Sequence, residues 1–358
     1  MSSTFFRKLP TPLEIKTMYP VPEAVEKQKQ INDEEIRKIF TGESDKFAVI
    51  IGPCSADNQE AVEDYVGRLA RVQEEVKDKL FIIPRVYTNK PRTTGKGYKG
   101  MLHQPDPEKK PDLLQGLITI RQMFLKIMED TGFPLADEML YPENARYFSD
   151  CLSYVAVGAR SVEDQQHRLT ASGMDIPVGM KNPTSGDLSI MLNSIEAAQS
   201  SHSFLYRGWD VQTTGNDLAH AILRGAVNQY GQCIPNYHYE DMVNLYEMYK
   251  DKGFANPALV IDCNHSNSNK KYMEQMSGYS MDFATNAFGI AGMEGALSPE
   301  ADEWLRQATE YVHGNLEFLT EYCEKNLPQI KVIRPEGSFL VWLDCKRLGI
   351  RPEELDEF

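Results

Sequence analysis

The feature that most constrains this chain is a rhythm of seven apolar runs of strand length, at 47–52, 80–84, 133–138, 154–158, 176–180, 220–223 and 258–262. Between most of them lie amphipathic helical stretches, such as 58–77, 112–130 and 187–198. Continuous apolar strands alternating with helices are strands buried on both faces, which means parallel β/α construction. The expected fold class is α/β, a (β/α) TIM-type barrel with seven of the usual eight strands. Residues 203–216 read as an inserted hairpin, and residues 1–45 as an extended, Pro-punctuated arm followed by a helix over 22–40.

The rhythm breaks near Met276. After a Ser/Gly/Met linker at 278–282 comes an acidic amphipathic helix over 299–326, then IKVIRPEGSFLVWLDC, which alternates like a hairpin turning at Pro-Glu-Gly. Residues 281–358 hold 15 acidic and 7 basic residues, more than half of a net charge of −14 in under a quarter of the length. Three segments are expected: 1–45, an arm and helix for assembly or regulation; 46–277, the barrel; and 278–358, a small α/β module.

One loop stands apart chemically. Residues 84–100, PRVYTNKPRTTGKGYKG, collect Arg85, Lys90, Arg92, Lys96 and Lys99 with no acidic residue among them. Arg forks, Lys charge, Thr hydroxyls and close backbone approach at Gly suit phosphate, although a basic run is often only a solvated loop. Its position favours function, because it follows a buried strand, and α/β proteins keep their chemistry at strand C-termini. Set side by side, the seven strands end in Cys54, Arg85, Glu138, Arg160, Lys181, Arg224 and His265. The cations of that rim, with Lys90 and Arg92, imply a substrate carrying several negative charges. A crowd of cations is expected to lower the pKa of Lys181, making it the proton-transfer candidate. Cys54 and His265 fit a thiolate–imidazole pair or two metal ligands; singly, each also fits a plain packing role.

Other classes are disfavoured. The apolar runs are too short to span a bilayer, and no long apolar leader opens the sequence. An acidic chain without a broad basic face predicts no nucleic-acid and no membrane partner. Six scattered cysteines without a CxxC pair predict reduced thiols and a cytoplasmic location.

The motifs IGPCS (51–55), RVYTNKPRTTGKGYKG (85–100), GARSVEDQQHR (158–168), PVGMKNPTSG (177–186), ILRG (222–225) and VIDCNHSNSNKKY (260–272) resemble the metal-dependent, microbial (class I) DAHP synthases. The resemblance runs over about 10–275 and includes the arm PTPLEIKTMYPVPEAVEKQK. It implies condensation of phosphoenolpyruvate with erythrose 4-phosphate and release of phosphate, opening the shikimate pathway of aromatic amino acid biosynthesis. It also implies a divalent metal of the Mn, Fe, Co or Zn class, a homo-oligomer, and an aromatic amino acid as feedback ligand. Carried over by position, Arg85, Lys90, Arg160, Lys181 and Arg224 would hold phosphoenolpyruvate. Arg92 and Thr93 would hold the phosphate of erythrose 4-phosphate, and Cys54 and His265 would be metal ligands.

The family's other two metal ligands, a Glu and an Asp, begin in a pattern like VMIESH that nothing here matches. Instead, NAFGIAGMEGAL (286–297) and the stretch 311–345 resemble the small C-terminal domain of fold-type I pyridoxal-phosphate enzymes of the aminotransferase and cystathionine β-lyase-like group. That fragment, about 282–358, lacks the domain that bears the cofactor lysine, so no pyridoxal phosphate is expected. The resemblance thus implies a chimera, either a DAHP synthase impaired by replacement of its last barrel strand or a non-catalytic barrel that binds phosphoenolpyruvate. A pyridoxal-phosphate lyase is the third reading. An open barrel leaves strand edges; pairing of Phe339–Leu343 there would cover them and bring Glu336 or Asp344 as stand-in ligands.

Overall fold

The structure is a computed structural model in which residues 3–92, 95–271, 299–335 and 340–349 are described. The chain divides into two compact units, Met1–Tyr279 and Ser280–Phe358.

In the first unit, β1 (Phe47–Ile51) lies parallel to β2 (Leu80–Pro84), and a parallel bridge from Arg85 to Ala136 carries β2 onto β3 (Leu135–Glu138). The sheet continues through β4 (Leu152–Val157) and β5 (Val178–Lys181). The chain then leaves it for an antiparallel hairpin, β6 (Ser203–Tyr206) and β7 (Trp209–Gln212). That hairpin closes through Arg207 and Gly208, at φ 50° and 82°, a type I′ turn matched to strand twist. β8 (Ala219–Leu223) returns to the sheet beside β5, a short ribbon of β9 (Ala226–Val227) and β10 (Cys233–Ile234) follows, and β11 (Leu259–Ile261) pairs with β8. All seven sheet strands are parallel, and among the described residues β1 pairs only with β2 and β11 only with β8.

Helices join successive strands. α1 (Pro12–Met18) and α2 (Glu23–Thr41) precede the sheet; α3 (Gln59–Val76) and α4 (Leu113–Thr131) follow β1 and β2. The short α5 (Ala145–Phe148) follows β3, and α6 (Gln165–Ala171), α7 (Leu188–Gln199) and α8 (Tyr239–Lys252) come after. Asn58, Asp112, Asp164 and Asp187 each cap a helix by accepting from an N–H of its first turn, satisfying donors the helix itself cannot. The arm is not extended throughout, as the sequence suggested. Thr11 and Glu14 form a reciprocal capping box that starts α1, and Ile15 is fully buried.

Two apolar clusters hold the unit. The larger lies between sheet and helices, and the smaller fills the inside of the sheet, where α2 sends Ile36 and Phe40 against Ile83, Ala136, Tyr154, Ala156 and Ile222. The Phe40 ring stands 4.6 Å from the His220 ring and 5.8 Å from that of Tyr154. Burial pushes His220 down to about 4, so its ring is neutral near pH 7. Its Nδ1–H donates to Leu218 O at 2.9 Å, leaving Nε2 to accept from Tyr154 Oη at 2.9 Å.

Arg121 of α4, fully buried, ties the arm down. Its Nε donates to Tyr19 O at 2.6 Å, and Nη1 to Tyr147 O at 3.2 Å. Both Nη atoms grip Asp150, at 2.9 and 2.8 Å. Burial opposes this charge, but the bidentate Asp150 pair outweighs it and raises the guanidinium pKa.

In the second unit, α9 (Pro299–Asn326) occupies the span expected from the sequence, and β12 (Lys331–Ile333) pairs antiparallel with β13 (Trp342–Asp344). The linker at 278–282, the motif at 286–297, Glu336 and Phe339 lie outside the described residues.

Candidate active site

The strand ends converge on a cavity of about 330 Å³ whose polar lining includes Arg85, Tyr87, Lys181, Asp262 and Asn264. Lys181 is the last residue of β5 and only 5% exposed. Its Nζ lies 3.3 Å from Asp262 Oδ2 and 5.7 Å from the centroid of the Tyr87 ring. Burial alone would lower its pKa, yet Tyr87, Asp262 and Glu138 outweigh burial and raise it. The expected lowering is therefore overturned. The sequence showed the cations of the rim but not the carboxylate beside Lys181. A lysine held this firmly charged suits an anion anchor better than proton transfer near neutral pH.

Asp262 follows β11 and organises its loop. Burial would favour its proton, but Lys181 and the hydrogen bond to His265 outweigh that and hold the carboxyl well below the usual range. Oδ2 meets His265 Nδ1 at 2.9 Å, and Oδ1 accepts from Asn264 N–H at 3.0 Å. His265 sits at φ 49°, a left-handed conformation uncommon for a non-glycine residue, which its Asp262 contact helps maintain. Burial pushes Tyr87 up to about 12, so the phenol stays neutral.

Arg224, just past β8, is 6% exposed. Burial pushes its pKa down; Asp262 opposes this and Arg160 adds to it, so the three charges share one neighbourhood. Arg224 N–H donates to Asn182 Oδ1 at 2.9 Å. The next residue, Gly225, has φ 74°, and a Cβ there would lie 2.7 Å from Ser266 Cβ and 2.8 Å from Asn267 N. Glycine is what lets the loops after β8 and β11 touch.

Across the rim, Lys90 Nζ lies 2.9 Å from Cys54 Sγ and also donates to Cys54 O. The hydrogen bond from Lys90, with further help from Arg85, lowers the Cys54 thiol below its ordinary value against the opposing effect of burial. Arg85 Nη2 donates to Gly52 O at 2.8 Å, and its guanidinium stacks 4.9 Å from the Tyr87 centroid. Its Nε is buried with no hydrogen-bond partner among the described residues, a donor left for a ligand.

One expected residue is not part of this cluster. Arg92 is exposed and turns back to donate to Tyr98 O at 2.7 Å, while Thr93 lies outside the described residues. Sequence reasoning gave Asp262 and Tyr87 no part. The D-x-x-H spacing of Asp262 and His265 was the available signal for the first; Tyr87 carried none.

A family model described as the DAHP synthetase I family matches residues 23–305, reaching past the motifs into the first turns of α9. The Tyr-sensitive phospho-2-dehydro-3-deoxyheptonate aldolase of Salmonella typhimurium is 37% identical over 272 residues, 75% of this chain and 74% of that protein. The Phe-sensitive enzyme of Escherichia coli is 37% identical over 276 residues, covering 75% and 76%. Its counterpart in Corynebacterium glutamicum is 35% identical over 277 residues, covering 76% and 72%. The solved structure of the Francisella tularensis phospho-2-dehydro-3-deoxyheptonate aldolase superposes with a TM-score of 0.72 at 30% identity, covering 77% of this chain and 80% of that one. With a family model matched over more than half its length and relatives at this identity, the chain belongs to the DAHP synthetase I family.

Proposed function

We propose that this protein is a DAHP synthase, a transferase that joins phosphoenolpyruvate to erythrose 4-phosphate. The observation that carries the reading is the buried Lys181–Asp262 pair in the cavity that Arg85 also lines, with Arg224 near enough to Asp262 and to Arg160 to feel both charges. Lys181, Arg224, Arg160, Arg85 and Lys90 hold the carboxylate and phosphate of phosphoenolpyruvate, and Arg92 and Thr93 the phosphate of the aldose. So oriented, the enol carbon of phosphoenolpyruvate attacks the aldehyde carbon and a C–C bond forms. The aldehyde oxygen becomes a hydroxyl by taking a proton, water adds to the neighbouring carbon and gives up its protons, and the C–O bond from that carbon to phosphate breaks, leaving a ketone and inorganic phosphate. Fixed cations stabilise the developing charge without reorganising.

A divalent metal enters this reading through the family. Cys54 and His265 are the ligands offered for it, but among the described residues no group of three or more His, Cys, Asp or Glu is placed to hold an ion. That donor set falls short of a metal site, and no step above runs through one. The shortfall favours a second reading, a barrel of seven strands that binds phosphoenolpyruvate without turnover. Phosphate release dependent on erythrose 4-phosphate separates the two. Saturable phosphoenolpyruvate binding without release would leave the second.

An aromatic amino acid is the regulator in this reading. A separate cavity of about 700 Å³ shares no lining residue with the strand-end cavity. Its wall sets Arg146 and the Lys29–Asp33 ion pair of α2 beside Phe204, Tyr206 and Val211 of the hairpin, polar surface for the charged end of an amino acid and apolar surface for its ring. Calorimetric titration with Tyr and Phe tests it. Phe5 and Phe6, each more than nine-tenths exposed on the arm, support assembly into a homo-oligomer, which light scattering would register.

A further inference from the structure

The cationic loop is closed at its base. Asn89 and Gly100 form an antiparallel bridge, and Lys90 N–H donates to Lys99 O at 3.0 Å. Gly100 has φ 105°, and a Cβ there would lie 2.4 Å from Thr88 O and 2.6 Å from Asn89 Cα, so the two limbs meet backbone to backbone. Lys90 reaches from this loop to Cys54 and Arg92 folds back on Tyr98 O within it, and the position of both follows that of the base.

A side chain outside the loop holds that base. Asp137 of β3 is 5% exposed. Ala136 belongs to the cluster inside the sheet, so alternation turns Asp137 to the other face, away from the substrate cavity. Its Oδ1 accepts from Thr88 N–H at 3.0 Å and from Glu138 N–H at 2.7 Å, while Oδ2 accepts from Thr88 Oγ1 at 2.6 Å. Thr88 Oγ1 also accepts from Asn89 Nδ2 at 3.1 Å, which carries the linkage into the loop. Burial, with a smaller contribution from the like charge of Glu138, outweighs these hydrogen bonds and pushes its pKa up to about 7. Packing alone gives no reason to keep an ionisable group in so unfavourable a place.

We propose that Asp137 is a positioning residue that sets Lys90 and Arg92 toward the phosphorylated substrates, acting through Thr88 and touching neither substrate. The proposal rests on the reading of the site as a phosphate-handling one. It predicts a KM effect, because it concerns where the binding cations stand and not the bonds that change.

The test is steady-state kinetics of D137A, D137N and T88V, with calorimetric titration of phosphoenolpyruvate on the same proteins. In D137A, KM for both substrates should rise about tenfold or more while kcat stays within about threefold. D137N keeps an oxygen for the two N–H donors and offers its NH2 to Thr88 Oγ1, so it should return KM most of the way. T88V removes a single hydroxyl and should give a smaller rise of the same kind, which keeps the test open if D137A does not fold. A folded D137A or T88V with unchanged KM overturns the proposal, as does a loss confined to kcat that D137N does not rescue. If the wild type binds phosphoenolpyruvate without turnover, the functional reading fails and the dissociation constant replaces KM in the same comparison. A wild type that neither turns over nor binds overturns both.

Discussion

Replacing Phe40 by Ala tests the claim that α2 builds the inside of the sheet. Phe40 is 3% exposed and packs on Tyr154 and His220, with Ile36 beside it. Truncating a buried Phe costs about 3–5 kcal/mol, and the upper half of that range applies because two ring contacts are lost along with the buried area. For a unit of this size, each kcal/mol lowers Tm by about 2–4 °C, so the transition should fall by roughly 10 °C or more. Differential scanning calorimetry would read it directly. The more conservative F40L should cost much less. A second signature lies in His220, whose pKa of about 4 reflects burial. With Phe40 gone, water reaches the ring, and NMR titration should show its pKa moving up toward the ordinary histidine value. A folded F40A within about 1 kcal/mol of wild type would refute the packing argument, whatever became of His220.

Lys181→Ala and Arg224→Ala should each weaken phosphoenolpyruvate binding by about 2 kcal/mol or more, since each removes a buried charge-assisted contact; unchanged calorimetric affinity would remove that residue from the site. Asp137 fixes a pH dependence. Folded, it keeps its proton to about pH 7, while the unfolded chain releases it near 3.8. The folded state therefore binds more protons between those values, and stability falls as pH rises through that window, by at most about 1.4 kcal/mol per unit from this group, then levels. Subtracting the D137N profile from wild type should isolate that slope, and parallel profiles would contradict it. Finally, a donor set resting on Cys54 and His265 predicts weak Mn²⁺ binding, read as free ion by electron paramagnetic resonance. One tightly held ion per chain would show that ligands beyond the described residues complete the site.

The sheet was legible because its central strands β4, β5 and β8 are buried on both faces and read as continuous apolar runs, and because runs such as 80–84 are bounded by charge or proline. β2 occupies that span and α9 fills 299–326. Periodicity shows which face of a helix is apolar but not what it meets, so nothing in α2 announced that Ile36 and Phe40 enter the sheet. α1 is only seven residues long and sits between prolines, too short to establish a helical period, although Thr11 and Glu14 carried its start signal. The rim cations could be read by counting strand ends. Their electrostatics could not, because what sets the charge of Lys181 is Asp262 on another strand. Counting finds residues at strand ends but not the pairs among them.

The grip of Arg121 on the arm bears on how freely this chain can diverge. Its contacts with the arm and with α5 are to the carbonyls of Tyr19 and Tyr147, groups every residue type carries. The residue types at Tyr19 and Tyr147 can change with little consequence for this grip, so long as the guanidinium persists. Lysine cannot replace it, having neither the planar fork nor enough fixed donors. Relatives of this protein can therefore keep this anchor without a tyrosine at either carbonyl, and the arginine on α4, read together with a buried apolar residue at the place of Ile15, is the position to inspect when deciding whether they share the arm's path.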